Sequence, residues 1–92
     1  MHVRCHFFGP LREVVGEKTV EYNVTPETTV ESLLTTIATD HPGLEKLLFE
    51  DEEIRDSMTI TRNGTHVTYQ DGPDTELEAN DEIRVTPSIQ GG

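Results

Sequence analysis

The sequence closes on Gly91-Gly92, and no other pair of residues in it has chemistry so easily stated. Lacking Cβ atoms, a diglycine can enter a narrow active-site channel that other residues would obstruct. A free carboxylate is a poor electrophile. Once converted by another enzyme to a better one, such as an acyl-adenylate, its acyl group can pass to sulfur or to an amine. Taken alone, the dipeptide fits a frayed terminus better than a reactive end, so its weight depends on what presents it.

The other reactive side chains are more easily read as structural. Cys5 falls on the apolar side of an alternating stretch, as a packed core thiol does. His2 and His6 are four residues apart on a strand, where they share a face without converging on a metal, and accidental surface placement accounts for them. Glu50, Asp51, Glu52 and Glu53 lack the spacing and the glycine of a calcium loop and are expected as a solvated loop. Lys18 and Lys46 are the only lysines, and each is a candidate acceptor if a second molecule is attached to this one. Neither a Gly-rich phosphate loop nor a Ser-His-Asp set is visible, and no metal ligand set or bound cofactor is expected.

Composition narrows the partners. Eighteen acids face five arginines and two lysines, for a net charge of -11. Phosphate binding is driven by Lys and Arg, so nucleic acid and anionic membranes are excluded as expected partners. The acids are spread along the chain, which suits a surface adapted to high salt better than a single docking patch. One cysteine cannot form an internal disulfide, and no run approaches the ~20 apolar residues of a membrane span. A cytoplasmic protein with one compact domain is expected.

The elements that must position the terminus follow from periodicity. Val3, Cys5 and Phe7 alternate with His2, Arg4 and His6 in a first strand. Phe8 then falls on the polar side, as an exposed aromatic. Gly9-Pro10 ends the strand, a short helical turn follows over Leu11 to Val15, and a second strand spans about Thr19 to Val24. Thr28 as N-cap with Glu31 three residues later predicts a capping box. Val30, Leu33, Leu34, Ile37 and Ala38 form the apolar stripe of the main helix, which stops near Asp40 because His41 precedes Pro42. Leu44, Leu47 and Leu48 suggest a second short helix. Strands are expected over Met58 to Arg62 and Thr65 to Tyr69, joined by a type I′ turn at Asn63-Gly64. A turn-rich connection leads to the last strand, Glu82 to Thr86, with Ile83 and Val85 inward. One main helix over four or five strands makes an α+β roll, residues 1–86. Residues 87–92 are left as a flexible C-terminal tail reaching at most ~20 Å.

With this order of elements, the stretches His6-Phe7-Phe8-Gly9-Pro10-Leu11-Arg12-Glu13-Val14-Val15-Gly16 and Asp81-Glu82-Ile83-Arg84-Val85-Thr86-Pro87-Ser88-Ile89-Gln90-Gly91-Gly92 resemble the ubiquitin-like β-grasp sulfur carriers. Within these the chain is similar to the small subunit of molybdopterin synthase and, more closely, to the small archaeal modifier proteins of haloarchaea. The synthase subunits usually reach their diglycine through an aromatic and paired prolines; here Thr86 and Ser88 stand in those places.

The resemblance implies a ubiquitin-like β-grasp roll with a mixed sheet. It also implies that an ATP-dependent, E1-like enzyme adenylates Gly92, with Gly91 giving access and Pro87 directing the tail away from the sheet. Phe8 is then a candidate contact for that enzyme. Two outcomes are implied: attachment through Gly92 to lysines of target proteins, or a terminal thiocarboxylate that serves sulfur transfer beside the large subunit of molybdopterin synthase. On either outcome the chain is a substrate and carrier, not a catalyst. A third expectation is an acidic interaction domain whose terminus has no chemistry.

Overall fold

A computed structural model describes residues 1–87 of the 92. Of the tail expected over residues 87–92, only Pro87 is described, and it closes the last strand instead of opening the tail; Gly91 and Gly92 lie outside the described residues.

The sheet is built around its first and last strands. β1 (His2–Phe7) pairs antiparallel with β2 (Thr19–Asn23) on one side and parallel with the last strand, β7 (Glu82–Pro87), on the other. β7 in turn pairs antiparallel with β5 (Met58–Arg62), and β6 (Thr65–His66) completes the order β2-β1-β7-β5-β6. The mixed sheet buries one face. Val3, Cys5 and Phe7 of β1, Val20, Ile60, Ile83 and Val85 all point under it. They meet Val30, Leu33, Leu34, Ile37 and Ala38 of the main helix α2 (Val30–Asp40), the stripe expected from its spacing. Two short helices, α1 (Pro10–Val15) and α3 (Leu44–Leu48), close the flanks with Leu11, Val15, Leu44 and Leu48.

Three local expectations are corrected. Helix α2 is capped by Thr29, and the reciprocal box uses Ser32 in place of Thr28 and Glu31. The cause is tertiary. Leu77 N donates to Thr28 O and Val30 N donates to Thr75 O, each at 2.9 Å, so an antiparallel bridge keeps residues 28–30 extended and delays the first turn. The acidic stretch is no loose loop either. It is a two-stranded hairpin, β3 (Phe49–Glu50) with β4 (Glu53–Ile54), turned by Asp51 and Glu52 at φ 53 and 67.

The fourth strand of the sequence reading stops at His66. Val67–Tyr69 is a 3₁₀ turn that buries Val67 and leaves Tyr69 82% exposed. Leaving the sheet edge there lets the chain pass beneath the start of α2, where Thr75 and Leu77 are buried. The Asn63-Gly64 turn is as expected, with φ 51 and 87.

Candidate functional site

The described residues end on β7, and the structure fixes that strand at both ends. At its start, Asp81 is nearly fully buried beside β5. Its carboxylate accepts from Arg62 Nε at 2.5 Å, from Asn63 Nδ2 at 2.9 Å and from Glu78 N at 2.7 Å. Glu82 N donates to Asn63 Oδ1 and Asn63 N to Glu82 O, which locks the first residue of β7 to the hairpin turn. Burial alone would raise the Asp81 carboxyl, yet Arg62, the Glu78 amide and Asn63 together hold it below the usual carboxylate range. The sequence marks Asp81 only as the start of the closing stretch that carries the resemblance; its pairing with Arg62 joins residues too far apart to be read there.

At the far end, Pro87 is the last residue of β7 and takes Met58 as register partner. Its ring lies over Gly9, where an added Cβ would stand 3.8 Å from Pro87 Cγ. A strand end tolerates proline because no further ladder donor is needed. Phe8, one residue past the end of β1, is half-buried, so the expected exposed aromatic is corrected. The exposed aromatic is Tyr69, which sequence periodicity placed within a strand.

Between these ends the solvent face of the sheet carries an unbroken cross-strand row: Thr19, His6, Arg84, Thr61, His66. A second row sets Arg4 between Glu21 and Glu82. His2, His6 and His66, with Arg4 and Arg84, therefore gather beside Glu21 and Glu82 on one face, which is nearly balanced in charge on an acidic molecule. His6 is no accidental surface group. Its Nε2–H donates to Glu82 Oε1 at 2.9 Å, and Nδ1 lies 2.8 Å from Thr19 Oγ1, which ties three strands together. The carboxylate only accepts, which assigns the proton to Nε2. That bond holds the Glu82 carboxyl below its ordinary range.

Cys5 is buried under β1, and its burial pushes the thiol far up from its ordinary value, consistent with a packed, unreactive side chain. Lys18, just before β2, and Lys46, on α3, are both exposed. The Lys46 carbonyl accepts from Arg55 Nε at 3.0 Å while its side chain stays on the surface. Among the described residues no three His, Cys, Asp or Glu side chains are arranged to hold a metal ion, and no helix is long and apolar enough to cross a membrane. Among the described residues the geometry positions a strand end and a face beside it.

Residues 5–92 match the model of the ThiS family. The chain is 34% identical over 92 residues to "Small archaeal modifier protein 3" of Haloferax volcanii, covering 100% of both chains. It is 39% identical over 49 residues to a "Putative sulfur carrier protein" of Archaeoglobus fulgidus, covering 53% of this chain and 56% of that one. The crystal structure of SAMP1 from Haloferax volcanii superposes with a TM-score of 0.88, at 30% identity and over 100% of both chains. The roll is thus the ubiquitin-like β-grasp fold.

Proposed function

The chain belongs to the ThiS family, and on that premise we propose that it is a ubiquitin-like protein modifier joined through Gly92 to lysines of target proteins. The coarser statement, a ubiquitin-like modifier or sulfur carrier that acts as a carrier and not a catalyst, rests on its relatives. What carries the finer reading is the full-length relationship to a small archaeal modifier protein, at 34% identity over the whole of both chains.

The chemistry asked of the terminus is specific. An E1-like enzyme uses ATP to adenylate the Gly92 carboxylate, and a lysine ε-amine then displaces the activated group to give an isopeptide bond. The side-chain-free Gly91 gives that enzyme access, and Pro87 directs the approach. Lys18 and Lys46, both exposed, are acceptors should chains form, and Phe8 is a contact for the activating enzyme. We place these events in the cytoplasm.

Trypsin digestion of proteins from the native organism tests the reading. Cleavage after Arg84 leaves Val85 to Gly92 as a branch on each modified lysine, and mass spectrometry should find that branch in wild-type cells and lose it when Gly91-Gly92 is deleted. Abundant expression with no branched peptide would overturn it.

The sulfur-carrier relative from Archaeoglobus fulgidus favours a second reading, sulfur supplied from a terminal thiocarboxylate, for which we propose the large subunit of molybdopterin synthase as partner. Intact-mass measurement of the free protein, with a gain of one sulfur for one oxygen at Gly92, would support that step.

A further inference from the structure

One edge of the main sheet is left open. β2 stands last in the strand order, and its pairing with β1 decides which of its backbone groups are used. The Met1 amine donates to Val24 O at 2.7 Å, Val24 N to Met1 O at 2.8 Å, and Phe7 N to Lys18 O at 2.8 Å. Hydrogen-bonded pairs alternate in an antiparallel ladder, so Val3 with Tyr22 and Cys5 with Val20 are the bonded pairs between. The backbone N–H and C=O groups of Thr19, Glu21 and Asn23 therefore point away from the sheet. Thr19–Asn23 has no lysine, no proline and an uninterrupted register, and its single charge, Glu21, disfavours pairing with another acidic strand more than with a basic one.

Beneath the edge lies a groove between β2 and α2. Tyr22, Val24 and Leu33 give it an apolar floor, Thr28 and Thr36 a hydroxyl wall, and Glu27 an acidic lip. Tyr22 Oη donates to Asp40 Oδ2 at 2.8 Å and places a second carboxylate beside it. No basic residue lines it among the described residues.

We propose that this edge and groove take an extended segment of a partner protein, one with apolar residues at alternate positions and basic residues flanking them. The segment adds to β2 as a sixth strand. Its main chain pairs with Thr19, Glu21 and Asn23, and every second side chain drops into the groove over Leu33. The flanking cations meet Glu27 and Asp40. A second copy of this chain is the rival occupant, and charge opposes it. Antiparallel pairing centred on Glu21 would set Glu21 against Glu21 between two molecules that each carry -11.

The location suits a partner that binds while the other end is engaged. Thr19 pairs with His6 toward the Pro87 end of the sheet, whereas Asn23 pairs with His2 at the opposite end, where the groove opens. The edge is open whichever chemistry operates at Gly92.

The full chain, isotope-labelled, is titrated with a synthetic peptide Lys-Lys-Val-Thr-Val-Thr-Val-Lys-Lys. Saturable amide shifts are expected at Thr19, Glu21, Asn23 and Leu33. The same peptide with glutamates for lysines should bind about fivefold more weakly, as two exposed ion pairs allow. Glu21→Pro removes one outward N–H without touching the β1 ladder. Thr36→Arg fills the groove from an exposed helix position. Either should abolish the shifts, and Thr36→Arg keeps the test valid if the proline variant fails to fold. Shifts confined to another face, no saturable shift with the Lys peptide, equal binding of the Glu peptide, or a dimer through β2 that the Lys peptide fails to displace would each overturn the proposal.

Discussion

Asp81 and Tyr22 show how the same burial acts in opposite company. In Asp81, burial is outweighed by Arg62, the Glu78 amide and Asn63, and the folded carboxyl titrates below the ordinary range. The unfolded value is ~3.9. A group whose folded value is the lower one stabilises the fold fully above the unfolded value, and that contribution is lost as pH falls through the folded one. Asp81→Ala also leaves Arg62, which is largely buried, without its main partner. The expected cost is about 3 kcal/mol by urea unfolding at neutral pH, and the variant should lose less stability than wild type between neutral pH and acid. In Tyr22, burial comes first and the Asp40 carboxylate second, and both push the phenol up, to about 12. Ultraviolet titration of Asp40→Asn should show that midpoint fall toward, yet stay above, the ordinary ~10, because burial remains. An unchanged midpoint would remove Asp40 from the explanation.

At the scale of elements, the start of α2 separates local signal from tertiary cause. Thr29 Oγ1 accepts from Ser32 N at 3.2 Å and Ser32 Oγ accepts from Thr29 N at 2.9 Å, whereas the Thr28 hydroxyl meets only that of Thr25. Thr29→Ala should therefore cost about 1 kcal/mol in chemical denaturation and Thr28→Ala a few tenths, the reverse of what the Thr28–Glu31 spacing suggests. The helix stripe, the bounds of β5 and the Asn63-Gly64 turn were legible because each depends on residues close in sequence. The cap, the early end of β6 and the burial of Leu77 were not, because a bridge between Thr29 and Glu76 decides them. The Asp51-Glu52 turn escaped for another reason. Two acids at positive φ carry no glycine or asparagine to announce a type I′ hairpin, and Arg55 Nη1, 3.2 Å from Glu50 Oε2, offsets part of the local repulsion. The site divides in the same way. The diglycine can be read directly from the sequence, while the Arg62–Asp81–Asn63 lock that sets where β7 begins joins residues about twenty positions apart.

For the molecule as a whole, the distribution of charge matters more than its total. The Cα radius of gyration is 12.1 Å, close to the ~10 Å screening length at 0.1 M salt, whereas at 1 M that length falls to ~3 Å. At low salt acids within about one such length repel one another, so the repulsion reaches from each acid to those on neighbouring elements. At high salt only immediate neighbours do, such as Glu50 directly opposite Glu53. The solvent face of the sheet stands apart, because Arg4 and Arg84 there balance Glu21 and Glu82 beside three histidines, so another acidic surface can approach without the same penalty. With a net charge of -11, thermal unfolding should shift upward by at least several degrees as KCl rises from 0.1 M toward 1 M and then flatten, since each kcal/mol relieved moves Tm by roughly 4–8 °C in a domain this small. Replacing the two hairpin acids that face each other across the strands, Glu50→Gln with Glu53→Gln, should raise Tm most at low salt and leave a shallower salt slope. Calorimetry showing a Tm that is indifferent to KCl, or a double variant with an unchanged slope, would mean that self-repulsion does not limit this fold and that its acids serve contacts instead.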